Sequence, residues 1–202
     1  VAIPIADAFE HLQRQSILFR DLKPANIGYD RYDKVKLFDF GLAKKVSHND
    51  KHMTGFTGSV RYMAPEVAEH MNYGLPADVY SYGIMLWEIL MLRKPFEDLS
   101  ASDIAETVVR GKHRPRVNRH SGSIHMQRIL QSSWHRQPKT RPSFTKIKSV
   151  LQHEIVQRAG VGHGGGVVSS LSRRFSTDKS NISASGRQQQ RSHSMSTAQG
   201  LF

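Results

Sequence analysis

The sequence predicts a mainly α domain, and three stretches carry that prediction. Ile5, Ala8, Phe9 and Leu12 stand at i, i+3, i+4 and i+7, the spacing that lines one face of a helix with apolar side chains. Ala77 to Leu92 is apolar almost all round, which suits a helix buried in the middle of a domain. Phe144, Ile147, Leu151 and Ile155 repeat the one-sided pattern further along.

The elements between them follow in order. The first helix is expected to end near Ser16. Ile27–Tyr29 and Val35–Phe38 are short apolar runs flanking Asp30-Arg31-Tyr32-Asp33-Lys34, a turn-rich gap that predicts a small β-hairpin with a long loop. Leu42 to Tyr62 has neither helical nor strand period and is rich in Lys, His, Thr, Ser and Gly, so a long surface loop is expected, of a length that usually serves function. Pro95 is expected to stop the buried helix, with shorter helices over Ala101–Arg110, Ser123–Gln131 and Ser143–Gln157. After these come a glycine string and a Ser/Gln/Arg mixture with few large apolar residues, which predicts a disordered tail. The expected organisation is a folded region over 1–157 and a tail over 158–202.

Composition narrows the classes. The 202 residues are 38% hydrophobic and 23% charged, near the globular average, so most of the chain should fold. There is no cysteine, which excludes disulfides and thiolate metal sites and suits a reducing compartment. The longest apolar run, Ile84 to Leu92, is broken by Glu88 and too short to span a bilayer, and the start lacks the basic-then-apolar order of a signal peptide. A soluble cytoplasmic protein is expected, with a nuclear location the alternative. The formal charge of +12 invites a nucleic-acid reading, but residues 160–202 hold five basic residues and one acidic, and the remaining charge forms no dense stripe. Nucleic acid is not the expected partner.

The chemistry lies in ordered motifs. Phe19-Arg20-Asp21-Leu22-Lys23-Pro24-Ala25-Asn26 is followed by Asp39-Phe40-Gly41 and Ala64-Pro65-Glu66, then by Ala77-Asp78-Val79-Tyr80-Ser81-Tyr82-Gly83, Leu86-Trp87-Glu88, Trp134 and Arg141-Pro142. Singly these are weak signals; Asp21 and Asp39 suit caps, and Asn26 suits a turn. In this order they resemble the C-terminal lobe of eukaryotic protein kinases, whose catalytic loop reads H-R-D-L-x-x-x-N and departs here only at Phe19. The resemblance covers roughly residues 1–157 and is nearest to the tyrosine-kinase-like group of Ser/Thr kinases. No glycine-rich loop, ATP-binding lysine or partner glutamate fits into the eighteen residues before Phe19. The resemblance therefore implies a partial kinase domain without its N-terminal lobe, inactive alone, and an incomplete gene model as its origin.

It also implies roles. Asp21 orients the substrate hydroxyl and accepts its proton, while Lys23 contacts the transferred phosphate and favours Ser/Thr over Tyr acceptors. Asn26 and Asp39 supply the hard oxygen ligands that suit Mg2+ on the phosphates of ATP. Arg20 receives a phosphorylated activation-loop residue, with Thr54 and Thr57 the candidate acceptors of an upstream activating kinase. Ser59 bonds Asp21 and Lys23, Glu66 pairs with Arg141 in the interior, and Asp78 supports the catalytic loop through its backbone. Phe19 is expected to pack on Phe40 and not to inactivate the site. The function implied is transfer of the γ-phosphate of ATP to Ser or Thr hydroxyls of protein substrates.

Other strings imitate functional motifs. Val1-Ala2-Ile3 imitates the nucleotide-binding strand but ends in Pro4, and Gly160 to Val167 fits a glycine-rich loop letter by letter on the wrong side of the catalytic loop. His48 and His52 have metal-ligand spacing without a third partner. Arg173-Arg174-Phe175-Ser176 resembles a basophilic phosphorylation site. Two alternatives stay open: a pseudokinase-like binding or scaffold module without transfer, and, more remotely, a basic nucleic-acid-associated protein.

Overall fold

Helix α1 (Ala2–Arg14) opens the chain in the computed structural model, which describes residues 1–47, 53–110 and 113–161. The helix buries Ile5, Ala6, Phe9 and Leu12, so Ala6 takes the core position that the spacing assigned to Ala8. Ser16, with φ of 57°, turns the chain into β1 (Ile17–Leu18). Strands β2 (Ile27–Tyr29) and β3 (Val35–Leu37) form the expected hairpin, with Ile27 opposite Leu37, Gly28 opposite Lys36 and Tyr29 opposite Val35. The Asp30 carboxylate closes its loop by accepting from the amides of Tyr32 and Lys34.

The stretch after the hairpin differs from the featureless loop expected. Lys44–Lys45 forms β4, antiparallel to β1, and Met53 bridges to Tyr73. A 3-10 turn at Val60–Tyr62 then leads into the short helix α2 (Pro65–Ala68). These pairings use backbone groups, which carry no apolar alternation to read.

Helix α3 (Pro76–Met91) is the pillar: every residue from Ala77 to Trp87 is buried. Gly83 permits close packing, since a Cβ there would lie 2.7 Å from the Ser133 Cβ of α5 (Ile124–Ser133). The helix stops earlier than Pro95, at Leu92, whose left-handed φ of 52° and amide bond to the Glu88 carbonyl make the C-cap. Helix α4 (Ala101–Ile104) starts on a Ser100/Asp103 capping box and widens into a π-helical turn over Ala105–Arg110, which keeps Ile104 and Val108 both in the core.

In α6 (Phe144–Val161), Phe144, Ile147 and Leu151 are buried as the period predicts, but the fourth inward position is Glu154 and Ile155 is 58% exposed. The Glu154 carboxylate accepts from the Ser123 amide at 3.1 Å, placing a negative charge at the N-terminus of α5. Phe144 stacks against Phe9 and meets Tyr82 edge-on, so α1, α3 and α6 share one aromatic centre.

Internal contacts divide the chain into Val1–Gln157 and Arg158–Phe202, and of the second unit only the end of α6 is described. His48, His52, the glycine string beyond Val161, Arg173–Ser176 and the rest of the expected tail lie outside the described residues. Among the described residues no helix is long and apolar enough to cross a membrane.

Candidate active site

The loop from Phe19 to Asn26 joins β1 to β2 and is fixed from below by α3. The Asp78 carboxylate, 1% exposed, accepts the amides of Phe19 at 2.8 Å and Arg20 at 2.9 Å. These two bonds hold Arg20 at a φ of 72°, a conformation a non-glycine residue adopts only when its surroundings impose it. Phe19 is fully buried between Phe9 and Phe40, whose ring centroid lies 5.1 Å away at 84°, so the side chain that departs from the expected His packs edge-on against the Phe of Asp-Phe-Gly.

Burial pushes the Asp78 carboxyl up to about 6, against the two amide bonds that favour its ionised form. The folded value lies above the ordinary 3.8, so the native state binds this proton more tightly than the unfolded chain. The group's contribution to stability is thus fullest below about pH 4 and declines as pH rises through about 6, by roughly 2–3 kcal/mol. Urea unfolding between pH 4 and pH 7 should show the wild type losing stability relative to Asp78→Asn across that interval. Parallel curves would mean that Asp78 titrates as an ordinary surface carboxylate.

Three predicted residues meet at Asp21. Lys23 Nζ donates to its Oδ2 at 2.7 Å and to the Ser59 Oγ at 3.1 Å, while the Ser59 amide donates to Oδ1 at 2.9 Å. Asn26 Nδ2 donates to the Asp21 carbonyl at 2.8 Å and to Oδ2 at 3.2 Å. Burial acts to raise the Asp21 pKa, but the bonds from Lys23 and Ser59 and the Lys23 charge together outweigh it and hold the carboxyl below its usual range. Asp21 is therefore ionised at neutral pH.

Asp39 joins this group through the backbone. The amide of Phe38 donates to the Asn26 carbonyl at 2.8 Å, which fixes the end of β3 beside the Phe19–Asn26 loop. Asp39 then turns with φ of 58°, and its exposed carboxylate accepts one long bond, 3.3 Å, from the Gly41 amide. The Asn26 amide nitrogen is used internally, which leaves its oxygen as an acceptor, and the Asp39 carboxylate keeps most of its acceptor capacity. One neutral and one anionic oxygen donor fit a hard dication that takes its other ligands from phosphates and water. Among the described residues no cluster of three or more His, Asp or Glu is placed to hold a metal by itself.

Gly58 brings the segment before the Val60–Tyr62 turn into the site. Its φ of 103° and the absence of a Cβ, which would collide with the Arg20 carbonyl, let Ser59 reach Asp21 and Lys23. Beyond it, Ser81 donates to the Tyr62 carbonyl, Tyr62 Oη donates to Glu88 at 2.6 Å, and Arg61 donates to the carbonyls of Pro95 and Phe96. Glu66 and Arg141 form a bidentate pair at 2.6 and 2.8 Å in the interior, with Arg141 also bonded to the carbonyls of Pro76 and His135.

Thr57 lines a small pocket with Arg20, Tyr73 and Asp78, whereas Thr54 is exposed and not among the pocket's lining residues. The Arg20 guanidinium also donates to the Leu42 carbonyl, just past Asp-Phe-Gly. Sequence reasoning missed Gly58, Arg61 and Tyr62, and placed Glu88 in a motif without a role. A glycine directly before Ser59 was a usable signal, while nothing in the residue pattern pairs Tyr62 with Glu88.

The protein kinase domain family matches residues 1–156. The chain is 36% identical over 182 residues to serine/threonine-protein kinase STY46 of Arabidopsis thaliana, covering 86% of this chain and 31% of that protein. It is 36% identical over 160 residues to serine/threonine-protein kinase STY17 of the same plant, covering 79% and 28%. It is 34% identical over 151 residues to dual specificity protein kinase shkC of Dictyostelium discoideum, covering 74% and 30%. The chain thus spans about a third of the length of these relatives. With its motifs in kinase order and the family match running through residue 156, the chain belongs to the eukaryotic protein kinase superfamily.

Proposed function

We propose that this chain is the C-terminal lobe of a protein Ser/Thr kinase and carries the acceptor-side half of the phosphoryl-transfer site. The observation that carries the reading is the hydrogen-bonded group of Asp21, Lys23, Asn26 and Ser59 beside Asp39. Residues 1–157 form the partial kinase domain in this reading, with 158–202 a tail. Transfer belongs to a longer polypeptide that supplies a glycine-rich loop, and this chain alone is inactive.

Mg2+ bound to ATP supplies neutralisation of the phosphate charge, and the chain's own residues do the positioning. Asn26 and Asp39 hold the metal through oxygen. Asp21 aligns the acceptor hydroxyl and takes its proton; a carboxylate held below its usual range is a weak base, so alignment is the larger part of its contribution. Lys23 keeps a positive charge next to that carboxylate, where the transferred group arrives. Ser59 fixes both, and Gly58 fixes Ser59. Glu66, Arg141 and Asp78 are structural supports. Arg20 is the receptor for a phosphorylated activation segment, and Thr57, which lines its pocket, is favoured over Thr54 as the target of an upstream kinase. A cytoplasmic or nuclear setting, where Mg2+ and ATP are at hand, goes with this reading.

The Ser/Thr assignment rests on Lys23 and on the likeness to the serine/threonine-protein kinases STY46 and STY17, while the likeness to the dual specificity kinase shkC names the competing outcome. Phosphoamino-acid analysis of protein labelled by the longer polypeptide with Mg2+ and γ-labelled ATP separates them. Phosphoserine and phosphothreonine are expected. Phosphotyrosine as the main product overturns the acceptor class, and no label at all leaves the pseudokinase-like binding module.

A further inference from the structure

The acidic residues of the chain are unevenly placed. Residues 1–106 hold twelve Lys and Arg against fifteen Asp and Glu, whereas residues 107–153 hold eleven Lys and Arg and no acidic residue. Averaged over the folded region the charge forms no dense stripe, but mapped against the acids most of the net +12 falls in this one segment. Four of the eleven are used within the fold. Arg114 donates to the carbonyls of Val108 and Trp134, Arg141 pairs with Glu66, Arg136 with Glu69, and Lys148 with Asp7 and Glu10. Arg116, Arg119, Arg128, Lys139 and Lys146 are exposed and have no acidic partner among the described residues.

Three of these five gather where α5 meets α6. The turn Arg119–Ser121 comes just before α5 and is held by its own side chains, with Asn118 accepting from the His120 amide and Ser121 Oγ accepting from the Asn118 amide. On α5, Arg128 stands three residues past His125, and on α6, Lys146 stands seven before His153, spacings that put each pair on one helix face. The two histidine rings meet with centroids 6.0 Å apart, so the two basic faces adjoin.

We propose that this face, carried by Arg119, Arg128 and Lys146, docks an acidic polypeptide segment of a partner protein. The surface is independent of the phosphoryl-transfer site and of the reading given to it. Two of its three cations are arginines, whose forked guanidinium matches a carboxylate at two points. Ile124, exposed and four residues before Arg128, adds one apolar contact on the same helix face. A single aliphatic side chain is too little for insertion into a lipid surface, which takes a broad apolar helix face. The segment's two large aromatic residues, Trp134 and Phe144, are buried, so it offers no indole, phenol or phenyl ring on which nucleic-acid bases would stack.

The test is fluorescence anisotropy of a labelled oligoglutamate peptide titrated with the 202-residue chain. The peptide should bind, and added salt should weaken it. Arg119→Glu/Arg128→Glu/Lys146→Glu should weaken binding by about tenfold or more. The control Lys34→Glu/Lys44→Glu/Lys45→Glu makes the same change in net charge at exposed positions of the first segment and should leave binding unchanged. Arg119→Gln/Arg128→Gln/Lys146→Gln should weaken binding in the same direction by less, which guards against misfolding caused by charge reversal; circular dichroism establishes the fold of each variant.

The proposal is overturned if oligoglutamate does not bind the wild type, or if the two reversal triples weaken it equally, since net charge alone would then explain the attraction. It is also overturned if phosphatidylserine vesicles or a single-stranded oligonucleotide displace the peptide at lower concentration of anionic groups and depend on the same three residues. The face would then be a membrane or a nucleic-acid surface.

Discussion

Asp21→Asn in the longer polypeptide should lower kcat for phosphoryl transfer by roughly 10²–10⁴-fold while KM for ATP changes little. The substitution keeps the size of the side chain and its capacity to accept the Ser59 amide at the Oδ1 position. It removes the negative charge that Lys23 neutralises at 2.7 Å and the oxygen that would receive the acceptor proton. The loss should therefore appear in the chemical step and not in nucleotide binding, which the reading assigns to Asn26 and Asp39. A rise in KM at unchanged kcat would instead make Asp21 a binding residue. Steady-state rates at varied ATP, with circular dichroism to establish the fold, distinguish the two.

Arg141→Ala should cost roughly 3–5 kcal/mol of stability, because it strands the Glu66 carboxylate in the interior. It also withdraws the donors serving the carbonyls of Pro76 and His135. For a folded region of this size the midpoint of thermal unfolding should fall by roughly 6–20 °C. The double variant Glu66→Leu/Arg141→Met, in which neither charge remains, should be less destabilised than Arg141→Ala alone. Single and double variants losing equal stability would mean that the guanidinium's bonds to backbone carbonyls, and not the stranded carboxylate, set the cost.

The parts legible in the sequence are those where one face of an element meets the core. Ile5, Phe9 and Leu12 announce α1, the unbroken apolar run announces α3, and the two runs around Asp30–Lys34 announce the hairpin. What escaped is governed by backbone and by tertiary demand. Lys44 and Lys45 form a strand only because Ile17 and Leu18 offer them backbone partners. The apolar run to Leu92 marks the end of α3 correctly, but the stop comes from Leu92 itself, in a left-handed conformation that glycine usually marks, and not from Pro95. Glu154 occupies an inward position that the apolar period gave to Ile155, because the amide at the start of α5 needs an acceptor.

The site divides in the same way. Motif order placed Asp21, Lys23, Asn26, Asp39, Ser59, Glu66, Asp78 and Arg141 in sequence, but it could not say that Ser59 reaches Asp21 only because Gly58 has no Cβ, nor that Tyr62 closes on Glu88. Those are statements about close approach between distant segments, and residue types alone do not encode them. Phe38 illustrates the limit: it reads as the last residue of an apolar run, yet its ring stands half exposed over a glycine.

Mn2+ in place of Mg2+, added with ATP to the isotopically labelled chain, tests most directly whether these residues form half of a phosphoryl-transfer site. The account predicts paramagnetic broadening centred on Asn26 and Asp39, reaching Asp21 and Phe38, dependent on ATP and abolished by Asp39→Ala. Broadening centred elsewhere, or unchanged in Asp39→Ala, would contradict it.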